Sequence, residues 1–175
     1  MVAVGLVVRA LIVAAVLIAA GSSFDAAAKS ATTTLIGVVS RVSDGDTLWV
    51  RPATADGSRK PLKVRLLGID APERCQVGGT EATAALASRV MNRKVVLRVV
   101  GRDSYGRLLG ELHSRGEDVG AWLVREGQAW SHRRYGVADV YAAEERDARA
   151  ARRGLFARHD AIEPGEFRRR YGVCR

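Results

Sequence analysis

Apolar and polar residues alternate with a period of two along several short runs of this chain. Alternation over about four to eight residues is typical of a β-strand that buries one face and exposes the other. Runs with this pattern are Leu35 to Val42, Thr47 to Arg51, Leu62 to Ile69, Val95 to Val100 and Leu108 to Leu112. The sequence therefore predicts five short strands in the first two thirds of the chain.

The apolar spacing changes to three and four residues in three other segments, as expected for helices that bury one face. These segments are Glu81 to Met91, Asp118 to Glu126 and Val137 to Arg153. In the longest of them, the side chains expected to face inward are Val140, Tyr141, Ala148 and Ala151. Five short strands with a few helices packed on them predict an α+β domain built on a small, strongly curled sheet or barrel.

The N-terminus has the pattern of an export signal. Arg9 precedes the apolar run Ala10 to Ala20, and small residues follow at Ala26 to Ala28. This order of charged, apolar and small residues predicts cleavage after Ala28 and a protein that is secreted or held in the cell envelope. An uncleaved membrane anchor is the alternative, because the apolar stretch counted from Val2 approaches the length of a spanning helix.

Two cysteines, Cys75 and Cys174, are the only ones in the sequence. Disulfides persist in oxidising compartments, so an exported chain could join them into a bridge that ties the C-terminus to the segment after Glu73. Two unpaired thiols are an equally acceptable interpretation. The sequence leaves this choice open.

The chain is strongly basic, with 28 Lys and Arg against 19 Asp and Glu and a formal charge of +9. Such an excess favours polyanionic partners, because basic side chains neutralise phosphates and release counterions. The alternative interpretation of this charge is a soluble basic protein that has no nucleic-acid partner. The run Arg168 to Arg170 could add nonspecific phosphate contacts from the C-terminal tail.

Three short motifs place charged residues at strand ends: DGDT at Asp44 to Thr47, RLLGIDAPE at Arg65 to Glu73, and DSYGR at Asp103 to Arg107. The Asp-Gly pair predicts a tight hairpin turn, because glycine accepts a positive φ without steric cost. Strand alternation would put Arg65 on the same face as Leu67 and Ile69. That position requires an anionic partner, either a structural carboxylate or a substrate phosphate.

Together these motifs resemble the staphylococcal nuclease (thermonuclease) family. The resemblance rests on DGDT, VRLLGIDAPE and DSYGRLLGEL in this order, followed by LVREGQAW, and it covers about Leu35 to Phe156. It implies a five-stranded OB-type barrel with three helices. It also implies calcium-dependent hydrolysis of phosphodiester bonds in DNA and RNA, with low sequence specificity and 3′-phosphate products.

The resemblance assigns a set of calcium ligands. Asp46 and Asp70 would bind through their carboxylates and Ala71 through its backbone carbonyl, and calcium does take oxygen ligands. Asp44 would support this site without binding the ion. Ala71 replaces a threonine of the family, which changes little if only the carbonyl binds.

The resemblance also assigns the reacting groups and the substrate contacts. Glu73 matches the family's general base, and Arg65 and Arg107 match the two arginines that hold the scissile phosphate. Tyr105 and Tyr135 match tyrosines that contact the nucleotide, and aromatic faces accept any base.

These inferences divide the chain into a signal at 1–28, a linker at 29–34, a nuclease domain at 35–160 and a basic C-terminal tail at 161–175. The expected partners are DNA and RNA, preferably single-stranded, with a membrane tether only if the signal is retained. The chain is expected to act as a monomer. The alternative function is a noncatalytic nucleic-acid or protein-binding module on the same barrel.

Overall fold

The computed structural model of the protein describes residues 32–53, 60–132 and 139–174. The predicted signal, half of the predicted linker and Tyr135 lie outside these residues. Within the described ranges, none of the helices has the length and apolar character needed to cross a bilayer.

Five strands form the main body of the fold. The strands of the described residues are β1 (Thr33–Asp44), β2 (Thr47–Pro52), β3 (Leu62–Leu66), β4 (Ile69–Asp70), β5 (Lys94–Arg102), β6 (Leu108–Ser114), β7 (Glu117–Asp118) and β8 (Trp130–Ser131). Antiparallel pairing runs in the order β3-β2-β1-β5-β6, and a parallel pairing of β3 with β6 closes the barrel. The predicted α+β fold with a five-stranded OB-type barrel is confirmed.

The alternating pattern explains the barrel, because each strand turns its apolar positions inward. Val39, Leu48, Val64, Leu97 and Leu112 come from the five barrel strands and are almost fully buried. The first helix covers this core with Ala82, Leu86 and Val90, which are also fully buried. The barrel therefore has one continuous apolar interior.

The third predicted strand, Leu62 to Ile69, is wrong in its second half. β3 ends at Leu66, and Gly68 then adopts a positive φ of 73° that turns the chain out of the barrel. Ile69 and Asp70 form the short strand β4, which pairs with β8 instead. Simple alternation therefore stops at Leu66, and this turn gives Asp70 its direction.

Four α-helices and one 3₁₀ helix are present in the described residues, one α-helix more than predicted. They are α1 (Gly79–Val90), α2 (Val119–Arg125), α3 (Ala142–Ala150) and α4 (Pro164–Tyr171), with the 3₁₀ helix at Gly154–Ala157. The first two agree with prediction within a few residues. The fourth lies in the segment predicted as a basic tail, begins with Pro164 at its first position and ends before Gly172, which has a positive φ.

The third helix is shorter than the predicted segment. Of the side chains expected to face inward, Tyr141 and Ala148 are buried, whereas Val140 and Ala151 are exposed. Tyr141 precedes the helix, and its hydroxyl donates to Asp118 Oδ2 at 2.8 Å. That carboxylate also caps α2, so a tertiary hydrogen bond decides where this segment packs.

Cys75 and Cys174 are joined in a disulfide, with Cα atoms 5.7 Å apart. Of the two interpretations that the sequence left open, a disulfide and two unpaired thiols, the structure has the disulfide. The bridge fastens the segment after α4 to the loop between β4 and α1.

Candidate active site

The turn between β1 and β2 carries the first acidic residues of the site. Asp44 Oδ1 accepts a hydrogen bond from the backbone N–H of Asp46 at 3.1 Å, which stabilises the turn. Gly45 does not have the positive φ that the sequence predicted. A Cβ atom at Gly45 would instead lie 2.7 Å from Ala71 Cβ and 2.8 Å from Ala82 Cβ. Glycine is needed here for close packing against the loop that contains Ala71.

Asp46 is buried at the centre of the site. Its Oδ2 accepts from the Ala71 backbone N–H at 3.0 Å, and its Oδ1 accepts from the Thr47 hydroxyl at 3.0 Å. Burial raises the pKa of Asp46 to about 7; Arg65 opposes this rise, and the nearby carboxylates of Asp44 and Asp70 add to it. A further cation close to Asp46 would stabilise its charged form.

Arg65 lies on β3 and joins two carboxylates. Its Nη1 is 2.7 Å from Asp46 Oδ2 and its Nη2 is 3.0 Å from Asp70 Oδ1. Its side chain is 9% exposed, so these ion pairs form away from bulk water. The anionic partner that the sequence required is thus a pair of carboxylates.

Asp70 and Glu73 are joined by a residue that the sequence analysis did not place in the site. Arg168, on α4, has Nη2 2.8 Å from Asp70 Oδ2 and Nη1 2.8 Å from Glu73 Oε1. The hydrogen bond to Asp70 is the main cause that raises the pKa of Arg168, with Glu73 contributing further. The sequence suggested only nonspecific phosphate contacts for Arg168 to Arg170, whereas Arg168 pairs with two carboxylates of the site.

A signal for Arg168 was present in the sequence. Cys75 comes two residues after Glu73, and Cys174 comes six residues after Arg168. A disulfide between these cysteines places the tail beside Glu73. Because the sequence leaves the pairing open, it does not distinguish Arg168 from Arg169 and Arg170.

Arg107 is positioned by the turn between β5 and β6. Its Nε donates to Asp103 Oδ2 at 2.6 Å, and the other Asp103 oxygen accepts from the backbone N–H groups of Tyr105 and Arg107. Burial alone would raise the pKa of Asp103, but the hydrogen bonds from Arg107 hold it below its usual value. Tyr105 is exposed, and the Arg107 guanidinium lies 5.5 Å from the centre of its ring.

One cavity of about 420 Å³ gathers these residues. Every predicted site residue within the described ranges lines it: Asp44, Asp46, Arg65, Asp70, Ala71, Glu73, Tyr105 and Arg107. Lys63 and Arg168 also contribute to the lining. Three motifs far apart in sequence therefore meet at a single polar site.

The donor atoms around Asp46 and Asp70 suit a hard cation such as calcium, because the two carboxylates and the neighbouring Ala71 carbonyl are all oxygen ligands. Within the described residues, no three acidic, histidine or cysteine side chains are already arranged around a common point for a metal. Arg65 and Arg168 take carboxylate oxygens that a cation would use. The chemistry of the donors fits calcium, and binding would require some of these guanidinium contacts to give way.

Comparison with known proteins gives consistent results. A family model described as staphylococcal nuclease homologue matches residues 63–158. An "uncharacterized endonuclease" of Escherichia coli O157:H7 is 37% identical over 135 residues, which cover 77% of this chain and 85% of that protein. "Protein ParB" of Escherichia coli is 40% identical over 146 residues, covering 77% and 80%. "Micrococcal nuclease" of Shigella flexneri is 35% identical over 145 residues, covering 76% and 80%. With more than half of its length matched by the family model, this chain belongs to the staphylococcal nuclease family.

Proposed function

We propose that this protein is an exported, calcium-dependent nuclease that hydrolyses phosphodiester bonds of DNA and RNA with low sequence specificity. The observation that carries the proposal is the cavity in which Arg65, Glu73 and Arg107 meet, although they come from different parts of the chain. The names of the relatives, an endonuclease and a micrococcal nuclease, support the same reaction class.

Glu73 is proposed as the general base. Its side chain is 24% exposed, so a water molecule can reach its carboxylate from the cavity. The carboxylate would accept a proton as that water attacks phosphorus. The bond from phosphorus to the 5′ oxygen then breaks, the leaving oxygen takes up a proton, and the phosphate remains on the 3′ end.

Arg65 and Arg107 are proposed to hold the scissile phosphate. Negative charge on the phosphate oxygens grows in the transition state, so donors fixed in advance stabilise it more than the ground state. Arg107 is fixed by Asp103, and Arg65 is fixed by two carboxylates. Asp46, Asp70 and the Ala71 carbonyl would hold calcium, whose positive charge would stabilise the negative charge of the same phosphate.

The substrate class follows from charge and from exposed aromatic surface. The formal charge of +9 attracts polyanions, and the exposed ring of Tyr105 can stack on a base of any identity. Bases are free to stack in single strands, so single-stranded DNA and RNA are proposed as the preferred substrates of a monomeric enzyme. The disulfide is consistent with export to an oxidising compartment.

The test uses purified residues 29–175 on single-stranded and double-stranded DNA and on RNA, with calcium or with a chelator. Glu73→Gln should lower the rate by roughly 10²- to 10⁴-fold, the usual range for loss of a general base. Arg107→Ala should lower it by about 10²- to 10³-fold. Both variants should keep the circular dichroism spectrum and the thermal midpoint of the parent protein.

Two matched substitutions at exposed positions serve as controls, Glu81→Gln on α1 and Arg51→Ala on β2. Both should leave the rate unchanged. Normal turnover by both Glu73→Gln and Arg107→Ala would overturn the proposal. Tight binding of DNA without cleavage by the parent protein would instead favour a noncatalytic binding module.

A further inference from the structure

Arg168 occupies the acidic part of the cavity through three polar contacts. Beside the two ion pairs at 2.8 Å, its Nη1 is 3.3 Å from Asp70 Oδ1. Arg65 contacts that same oxygen at 3.0 Å. Both carboxylate oxygens of Asp70 and one oxygen of Glu73 thus face guanidinium donors.

The C-terminal segment is held at this place by contacts that do not involve Arg168. The Cys75–Cys174 disulfide fastens it after α4. Before α4, the backbone carbonyl of Ile162 accepts from Gln76 Nε2 at 2.5 Å, and the other amide atom of Gln76 accepts from the Glu73 backbone N–H at 3.1 Å. The segment is thus attached on both sides of α4 to the loop that carries Glu73.

A guanidinium and a cation compete when they use the same carboxylate oxygens. Asp70 is 3% exposed and has no oxygen without a guanidinium partner, so a cation can reach it only by replacing a donor. Arg65 is 9% exposed and is held on a barrel strand by a second carboxylate. Arg168 is 23% exposed and belongs to a peripheral helix, which makes it the donor that can be displaced more readily.

We propose that Arg168 is a further active-site residue, which pairs with Glu73, competes with the divalent cation for Asp70 and so sets the cation affinity of the site. This inference rests on the proposed calcium-dependent function. The covalent attachment of the segment makes the competition intramolecular, so Arg168 stays at a high effective concentration beside the carboxylates. Arg168 lies beyond residue 158, where the match to the family model ends. The competing guanidinium is therefore supplied by the C-terminal segment.

Calcium binding measured by isothermal titration calorimetry, without nucleic acid, tests this inference. Arg168→Gln should bind calcium about tenfold more tightly than the parent protein, because hydrogen bonds to charged groups no longer oppose the ion. Arg168→Lys keeps the charge but loses the paired donors, and it should give an intermediate affinity. Arg169→Gln, an exposed neighbour on the same helix, removes the same charge and should change the affinity less than twofold.

A second readout follows Arg168 itself. The Nε–H resonance of Arg168, assigned by its loss in Arg168→Gln, should move when calcium saturates the parent protein. Thermal midpoints measured in chelator show whether each variant is folded. If Arg168→Gln does not fold, the calcium affinity of Arg168→Lys still tests the inference.

The outcomes separate this inference from the proposed function. Calcium binding by the parent protein together with an unchanged or weaker affinity in Arg168→Gln would overturn the competition and leave the nuclease proposal intact. Equal tightening in Arg168→Gln and Arg169→Gln would also overturn it, since general electrostatics would then be the cause. Absence of calcium binding in every protein would overturn the calcium assignment and this inference with it.

Discussion

Gly45 lies in the turn between β1 and β2, pressed against the small side chains of Ala71 and Ala82. A methyl group there would lie 2.7 and 2.8 Å from their Cβ atoms, which the backbone holds in place. Gly45→Ala should therefore lower the free energy of unfolding by roughly 1–3 kcal/mol, as other overpacked sites do. Denaturation with urea measures this change.

Gly101→Ala is the matched control, because no neighbouring atom lies within 4 Å of its added Cβ and Gly101 does not have a positive φ. It should shift the unfolding free energy by less than about 0.5 kcal/mol. Equal stability of the two variants would show that the packing at Gly45 is not tight.

Asp103 acts on the proposed reaction through Arg107. Asp103→Asn removes the ion pair that fixes the guanidinium and should lower the cleavage rate about tenfold with Arg107 still present. Asp160→Asn is the control, since its ion pair with Arg158 is exposed and Asp160 does not line the cavity. An unchanged rate in Asp103→Asn would mean that Arg107 needs no such support.

The same carboxylate contributes to the pH dependence of stability. The folded-state pKa of Asp103 lies below its ordinary value of 3.8, so the folded protein favours the charged form. Its contribution is present above pH 3.8 and is lost as the pH falls through the lower folded-state value. Unfolding free energies measured below about pH 5 should fall less steeply for Asp103→Asn than for the parent protein.

At the scale of elements, one side-chain hydrogen bond joins α2 to the segment that begins α3. Asp118 caps α2 through Oδ1, which accepts from the N–H groups of Gly120 and Ala121, and its Oδ2 accepts from the Tyr141 hydroxyl. Burial, together with the negative charge of Asp118, raises the pKa of Tyr141, so the hydroxyl stays protonated and able to donate. The pair fixes how the two helices meet.

Tyr141→Phe should lower the free energy of unfolding by about 1 kcal/mol, because it removes this hydrogen bond and keeps the ring. Urea denaturation measures the effect. Tyr171→Phe, at an exposed position on α4, should have almost none. If both variants have the same free energy of unfolding as the parent protein, the hydrogen bond makes no net contribution to stability.

Element boundaries were predictable where local chemistry sets them. The strands β1, β2, β5 and β6 follow from alternation, and α1 follows from helical spacing. Leu67 to Asp70 were not predictable, because all four residues are buried although alternation would expose two of them. They follow the end of β3, where Gly68 turns the chain out of the barrel and β4 pairs with β8, far along the chain.

At the scale of the whole molecule, the disulfide joins residues 99 positions apart, and the loop it closes includes the barrel strands β5 and β6 and the helices α1 to α4. Cross-linking ends this far apart restricts the unfolded chain and should contribute about 4–5 kcal/mol in the chain-entropy model. The Cys75→Ser/Cys174→Ser double variant should lose stability of this order in guanidinium denaturation with chelator present.

The parent protein treated with a reductant serves as the comparison, since it loses the same bond without a substitution. Both samples should unfold at the same lower denaturant concentration. Stability equal to that of the oxidised protein would mean that the unfolded chain is already restricted in other ways.

The sequence alone determined the α+β class, the barrel strands except the end of β3, and eight of the residues that line the cavity, but not Arg168. Those features depend on short-range patterns: alternation, helical spacing, and charged residues beside turn and strand ends. The hairpin turn at Asp44–Asp46 was visible without the rest of the chain, although the positive φ expected at Gly45 was not found, and the roles of its carboxylates came from the family resemblance.

Only the tertiary structure decided what each charged group contacts. It placed Arg65 between Asp46 and Asp70, required glycine at Gly45 because of Ala71 and Ala82, and brought Arg168 to Asp70 and Glu73. Arg168 and Asp70 are 98 residues apart in sequence. Ion pairs over such separations depend on barrel closure and on the disulfide, and neither leaves a local pattern in the sequence.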